Sequence, residues 1–584
     1  METAIQKNYS QAVAKARGEI KEFLKKALGK NYDESAIEIT YPPKIDLGDF
    51  SVPCFEIAKN IGQSPSEIAK SLAEQFQIEY GVLRNGRVSA RAKNFGPYLN
   101  FYIDIKKYAS GTLGEILSRG ENFGNSKVGL GKRVMIEYSG PNTHKEFHIG
   151  HLRNACLGSA IVNLYRALGY KVIAANYIGD VGSHVAKCLW ALTKLHQEDP
   201  IPANRGKYLG AIYVEANARC EESEECRKEA SEILQKLESG DRRLTKLWKE
   251  TRQWCLDEFK RIYKRLGAEF DVYFFESEVE AEGKKMARQL LEKGIAEKSE
   301  GAVVIDLEKY GLKKFLILKS DGTSLYATKD LALAIKKFNK YKISKSIYIT
   351  DSRQSFYFQQ LFKALELIGF YKPMAHIPYE LVTVKEGAMS SRQGTVVLFE
   401  DFENEVLQRT LKETEKRHPD WGARELEAVS RQIAYAAMKY TMLSDTNSSI
   451  ITFDLERSLK LTGNTGPYLQ YVHARISSIL KKVGKLPKKT PPFTDLNTRP
   501  EQELVLALSK FPETIEKAAL DFEPAHLASY LYRLAQIFSL FYEEVPVLKS
   551  EETVKKERLL LVLAVKTVMA RGLELLGIEA PAKM

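Results

Sequence analysis

Two histidines three residues apart, His148 and His151, bracket Gly150 in the string S-G-P-N-T-H-K-E-F-H-I-G-H-L-R-N at 139–154. Three chemistries could use such a string. His144, His148 and His151, four and three apart, could ligate zinc from one helix face. However, H-K-E-F-H sets its glutamate one place later than H-E-x-x-H, and no further His, Cys or Asp clusters nearby, so no metal site is expected. A dinucleotide loop would need G-x-G-x-x-G after the preceding strand. A P-loop would need Ser or Thr after Gly131-Lys132, where Arg133 stands. The third chemistry is nucleotide binding. Gly150 removes a side chain where a helix begins, so an adenosine can lie against the backbone. His148 and His151 can share the first turn and donate to phosphate oxygens at the helix N-terminus. Neutral imidazole N–H groups suffice as donors to charge that builds in a transition state.

Elements on both sides must hold this loop. The apolar run Val134-Met135-Ile136 ends on Glu137, and Leu157, Ile161, Leu164 and Leu168 recur at helical spacing until Gly169. A second strand is expected at 171–177. Strand, loop, helix, strand is one crossover unit of a parallel sheet, with its polar loop at the carboxyl end of the first strand, where ligands bind. Further strands are expected at 271–275, 302–305, 314–318, 346–350 and 380–384, the core resuming after a charged helical insertion at about 185–265. Residues 1–115 read as a separate α+β module, and 130–400 as the Rossmann-like core. From about Asp401 the strands give way to helical spacing, so 401–584 is expected to be an all-α bundle. The fold class is therefore multidomain α/β. Lys481, Lys482, Lys485, Lys488 and Lys489 flank prolines within that bundle, as either a solvated linker or a phosphate contact.

A chain of 584 residues with 44% hydrophobic and 28% charged residues is folded and too long for one core. The longest apolar run near the C-terminus, 559–565, is interrupted by Lys566 and cannot span a bilayer, so no membrane association is expected. Residues 1–15 carry charges throughout, and no export signal is expected. Six cysteines without a C-x-x-C pair suggest reduced, buried thiols and a cytoplasmic protein. A net charge of +12 favours a polyanionic partner, nucleic acid above all.

The string at 139–154 resembles the signature of class I aminoacyl-tRNA synthetases, and of the arginyl-tRNA synthetase family within them. D-L-G-D-F-S-V-P (46–53) and G-P-Y-L-N-F (96–101) resemble that family's N-terminal tRNA-contacting domain. G-D-V-G-S-H (179–184), S-L-Y-A-T-K-D (324–330) and D-S-R-Q-S (351–355) resemble its catalytic core. T-G-N-T-G-P-Y-L-Q-Y-V-H-A-R (462–475) and L-G-I-E-A-P-A-K-M (576–584) resemble its anticodon-binding helical domain. The resemblance implies activation of L-arginine by ATP, with Mg2+, to arginyl-adenylate and transfer to the terminal adenosine of tRNA(Arg). It implies Lys145, His148 and His151 as catalytic residues. It also implies His148, Gly150, His151, Met389, Ser390, Ser391 and Arg392 around ATP, and Glu137, Ser139, Asn142, Tyr326, Asp330 and Gln354 around arginine. The loop at 388–392 departs from the family's second signature: its two lysines are replaced by Ala388 and Ser391. Lys145 is then expected to supply the missing charge. His184 stands where the family often has glutamine. A monomer is expected.

Overall fold

The computed structural model describes residues 8–80, 91–385, 397–487 and 490–584. Ser10 caps the first helix, α1 (Gln11–Leu28), by accepting from the Val13 N–H, and Val13, Ile20, Phe23 and Leu24 form its buried stripe. The strands β1 (Phe50–Pro53), β2 (Arg91–Phe95) and β3 (Tyr98–Tyr102) form an antiparallel sheet in the order β1-β3-β2. The helices α2 (Phe55–Ile61), α3 (Pro65–Tyr80) and α4 (Ile105–Arg119) complete this α+β module. Phe23, Phe76 and Phe101 meet edge to face in its core.

The central sheet is built from β4 (Arg133–Glu137), β5 (Lys171–Ile178) and β6 (Val272–Phe275), then β10 (Lys345–Asp351) and β11 (Met374–Tyr379). Its order is β11-β10-β4-β5-β6, every pair parallel. Val134, Met135 and Ile136 are fully buried, as expected of a central strand covered on both faces. Between β4 and β5 runs α5 (Ile149–Ala167). It packs so closely on the end of β4 that a Cβ on Gly158 would lie 2.1 Å from the Tyr138 ring. Four helices leave the sheet after β5: α6 (Ser183–Lys194), α7 (Arg205–Glu222), α8 (Glu224–Glu238) and α9 (Arg242–Leu266). A disulfide joins Cys220 to Cys226 across the α7–α8 turn, which brings their Cα atoms to 4.9 Å; the expectation of reduced thiols fails for this pair. Cys54, Cys156, Cys188 and Cys255 are free and buried.

One expectation about the sheet is corrected. After α10 (Glu280–Glu292), the strands β7 (Glu297–Ser299), β8 (Ala302–Ile305) and β9 (Phe315–Leu318) form their own antiparallel sheet rather than rejoining the core. The connections between them are too short for a parallel crossover, which needs a dozen or more residues. The core resumes with α11 (Tyr326–Tyr341), and α12 (Ser355–Leu367) joins β10 to β11.

Beyond β11, β12 (Val382–Val384) precedes α13 (Phe399–Arg417) and α14 (Ala423–Leu443). Strands do not cease at Asp401, because β13 (Ile451–Phe453) pairs parallel with β12; three residues are too few to show an alternation. The remainder is helical: α15 (Leu455–Ser458), α16 (Gly466–Val483), α17 (Arg499–Ser509), α18 (Phe511–Leu520), α19 (Ala525–Glu544) and α20 (Glu552–Leu575). On α20, Leu559, Leu560, Leu561, Val562, Ala564 and Val565 are all buried, so the apolar run is the centre of the bundle. Among the described residues no helix is long and apolar enough to cross a membrane. The N-terminal module rests on the bundle, where Tyr108 donates to Ser509 Oγ at 2.8 Å. Lys481 and Lys482 lie in the last turn of α16; Lys488 and Lys489 fall outside the described residues.

Candidate active site

The strand order reverses between β4 and β10, and the carboxyl ends of the parallel strands converge there on a cleft of about 890 Å³. Glu137 ends β4, Gly179 follows β5, Glu276 follows β6, Asp351 ends β10 and Glu380 follows β11; all five line the cleft. His148, Gly150 and His151, at the start of α5, line it as well, and so do Ser139, Asn142, Tyr326, Asp330 and Gln354.

The histidines are held by the backbone they cap. His148 Nδ1 accepts from the Gly150 N–H at 3.1 Å, and His151 Nδ1 accepts from the His148 N–H at 3.2 Å. With both Nδ1 atoms accepting, each neutral ring carries its proton on Nε2, which is left as a donor. The rings stack with centroids 3.7 Å apart. Burial, then the Lys145 and Arg353 charges, push His148 down to about 4; burial, then His148 and Lys145, hold His151 well below the ordinary imidazole range. A Cβ on Gly150 would lie 2.9 Å from His148 Cε1, so any side chain there would push on the capping ring. His144 has a positive φ of 61° and turns away: Nε2 pairs with Thr251 Oγ1 at 2.8 Å and Nδ1 with Thr143 Oγ1 at 3.0 Å. The three histidines therefore do not share a face.

The opposite end of the cleft is acidic. Asp330, on α11, accepts from Tyr357 Oη at 2.5 Å through Oδ2, while its buried Oδ1 has no hydrogen-bond partner. Burial, then the Glu137 and Glu276 charges, push its carboxyl up to about 7, against the Tyr357 hydrogen bond and Lys337. Glu137 lies 2.5 Å from the buried Lys337 ammonium. Glu276 receives Lys329 Nζ at 2.7 Å, and burial raises its carboxyl despite that partner. The Tyr177 hydroxyl is buried without a partner, and burial followed by the Asp330, Glu276 and Glu137 charges keeps it protonated. Three carboxylates around two ammonium groups, with an Asp330 oxygen and the Tyr177 hydroxyl unpartnered in residues that line one cleft, suit a cation with several N–H donors.

The remaining residues divide. A Cβ on Gly179 would fall 2.1 Å from Asn142 Oδ1 and 3.3 Å from a Glu276 oxygen, so the Asn142 amide lies across the glycine beside Glu276. Ser139, at a positive φ of 72°, shares a 2.8 Å hydrogen bond with the Tyr263 hydroxyl, and its N–H donates to Asn154 Oδ1. Tyr326 is 59% exposed at the rim. Lys145 is apart from the cleft lining: its ammonium lies 5.0 Å from the Tyr213 ring of α7. His184 is half-buried, its Nε2 shielded from solvent and unpartnered, and desolvation, then Lys145, push it down to about 4. Met389, Ser390, Ser391 and Arg392 lie outside the described residues. Sequence reasoning missed Glu276, Lys329, Lys337, Tyr177, Tyr357 and Arg353. Glu276 was within reach, because it follows a strand, V-Y-F-F, at the same carboxyl edge as Glu137. Lys337 carries no such signal on its helix.

Three family models match the chain: tRNA synthetases class I (R), catalytic domain, at 112–455; the DALR anticodon binding domain at 469–584; and the arginyl tRNA synthetase N terminal domain at 14–103. An arginine–tRNA ligase of Bdellovibrio bacteriovorus is 38% identical, covering 96% of this chain and 98% of its own. One of Halothermothrix orenii is 35% identical, with 95% and 97% covered. Among solved structures, a Thermus thermophilus arginyl-tRNA synthetase superposes with a TM-score of 0.81 at 27% identity, covering 97% of this chain and all of that one.

Proposed function

The chain belongs to the arginyl-tRNA synthetases, class I ligases that join arginine to its tRNA, and from that premise we propose how its own residues carry the reaction. Arginine lies with its guanidinium toward Asp330 Oδ1 and Glu276, and with Tyr326 closing the rim. Glu137, Ser139, Asn142 and Gln354 surround its α-groups and stem. The observation that carries this assignment is the unpartnered, buried Asp330 oxygen within a ring of carboxylates. A guanidinium supplies the paired N–H donors such a site lacks.

ATP lies against the start of α5, its phosphates facing the Nε2–H groups of His148 and His151, with magnesium carried on the nucleotide's own phosphates. An arginine carboxylate oxygen attacks the α-phosphorus, the bond to the bridging oxygen breaks, and pyrophosphate leaves with that electron pair. The imidazoles remain neutral and stabilise the growing oxygen charge by donation. The terminal adenosine hydroxyl oxygen of tRNA(Arg) then attacks the adenylate carbonyl carbon, its bond to the phosphate oxygen breaks, AMP leaves with that electron pair, and the hydroxyl proton passes to the departing phosphate or to solvent. Met389, Ser390, Ser391 and Arg392 are assigned to ATP on the sequence resemblance alone, and Lys145 supplies the charge that Ala388 and Ser391 lack. For that role its ammonium must swing from Tyr213 toward the histidines, whose proton affinity it already lowers. Residues 1–115 and 401–584 contact the tRNA, the latter at its anticodon, while the region at 130–400 carries the catalysis.

Arginine-dependent exchange of pyrophosphate into ATP, measured with and without tRNA, tests the assignment. Exchange with arginine, and none with lysine or cysteine, is expected; no exchange in either condition overturns it. In Lys145→Ala, exchange should collapse while tRNA binding survives. Unchanged exchange removes Lys145 from the mechanism.

A further inference from the structure

Arg153 lies on α5 five residues after His148, about 7.5 Å further along the axis. It is 1% exposed, the largest of the fully buried side chains. Its five hydrogen-bond partners are all main-chain carbonyl oxygens. Nη1 donates to Glu380 O at 2.6 Å, Ser449 O at 2.8 Å and Leu381 O at 3.4 Å; Nη2 donates to Thr446 O and Asn447 O, each at 3.2 Å. The acceptors belong to two segments, the β11–β12 corner and the 446–449 turn before β13.

Those segments are the ends of a small structure that needs support. β12 and β13 form a sheet of two strands, three residues each, which is marginal alone in water. Glu380 N–H donates to Asn447 O at 2.9 Å, Ile451 N–H to Leu381 O at 3.0 Å and Lys385 N–H to Phe453 O at 3.0 Å. Residues 380–384 of this unit form part of the wall of the cleft that His148 and Gly150 also line. The turn is also held from the bundle side. Asn447 N–H donates to both Glu523 carboxylate oxygens at 3.0 and 3.2 Å, and Asn447 Nδ2 donates to Phe522 O at 2.8 Å.

We propose that Arg153 is a positioning residue for ATP: it fixes the cleft wall at 380–384 at a set distance from the two histidines carried by its own helix, and ties that wall to the α18–α19 corner of the helical domain. The proposal rests on the placement of ATP at the start of α5. A planar fork can bridge two carbonyl-lined segments at once; an ammonium offers three donors from one point and cannot span them. The arginine pocket is built on the ends of β4 and β6, on α11 and on the turn between β10 and α12, and none of the residues assigned to arginine belongs to 380–384, so loss of the fork should divide the two substrates.

The test is pyrophosphate exchange by the full-length protein with tRNA present, varying ATP and arginine separately, in Arg153→Lys. The ATP KM is expected to rise about tenfold or more, as for a misplaced positioning group, with the arginine KM within about twofold. Hydrogen exchange should show the amides of Glu380, Ile451 and Lys385 deprotected, and those of β10 and β11 unchanged. Parallel shifts of both KM values, or unaltered amide protection, overturn the proposal. If Arg153→Lys does not accumulate folded, Glu523→Ala loosens the same turn from the bundle side. There the ATP KM should rise about threefold with the arginine KM unchanged, and an unaltered ATP KM overturns the proposal. His148→Gln separates the two failures. If it too leaves the ATP KM unchanged, the placement of ATP is wrong; if it raises that KM while Arg153→Lys does not, only the role of Arg153 is wrong.

Discussion

Arginine binding should expel a proton near neutral pH. In the unliganded cleft the Asp330 carboxyl is pushed up to about 7 by burial and by the neighbouring Glu137 and Glu276 charges. A guanidinium at Oδ1 favours the ionised form, so below that pH arginine must displace the proton as it binds. One linked proton weakens the apparent affinity about twofold at pH 7 and about tenfold at pH 6, relative to the alkaline plateau. Calorimetry in two buffers of different ionisation enthalpy, with tRNA present, should record release of about 0.5 proton at pH 7 and about 0.9 at pH 6. The sign for stability follows from the same shift. The unfolded carboxyl ionises in the ordinary carboxylate range, so without arginine the raised group costs stability as pH rises toward 7. Asp330→Asn should abolish the pH slope and lose about 3 kcal/mol of arginine binding, roughly a hundredfold, because the guanidinium keeps its desolvation without its charge partner. Glu276→Gln should move the slope to lower pH without removing it. Arginine affinity that is flat from pH 6 to 8, or a slope that persists in Asp330→Asn, refutes this account of the pocket.

Two further outcomes follow from the same geometry. Lys337→Met leaves Glu137 buried without its ammonium, and thermal unfolding should show a loss of about 3–5 kcal/mol, part of it recovered in the Lys337→Met, Glu137→Gln double variant. Gly150→Ala sets a Cβ against the His148 ring, so pyrophosphate exchange should show the ATP KM raised about tenfold with the arginine KM and melting temperature little changed.

The sequence made the histidine loop legible because its chemistry is local. A strand, a short polar loop and a helix start lie within 30 residues, and the caps that orient His148 and His151 are made by that same stretch. The α+β module and the helical bundle were also visible, since apolar periodicity over 15–25 residues needs no partner to be recognised. What escaped was set by contacts distant in sequence. Lys337 meets Glu137 across 200 residues and looks like any helix-face lysine. Arg153 hydrogen-bonds only to carbonyl oxygens, which every residue has, so no side-chain pattern could announce those partners. β8 and β9 were recognised as strands but given to the wrong sheet, because the pattern of one strand does not name its neighbour, and the three residues of β7 were not recognised at all.

The helix that begins at the histidines also has a fixed length for a mechanical reason. Its N-terminus carries His148 and His151, its second turn carries Arg153, and near its far end Asn163 Nδ2 donates to Glu574 O and Leu575 O, both at 3.4 Å, at the end of α20. A single inserted residue would turn everything beyond it by about 100° and advance it by about 1.5 Å. Arg153 would then leave its carbonyls, or Asn163 the end of α20, whichever side took the insertion. A substitution in this stretch disturbs the contacts of one position, but a change of count disturbs every contact on one side of it. This stretch is a ruler whose graduations are read at both ends.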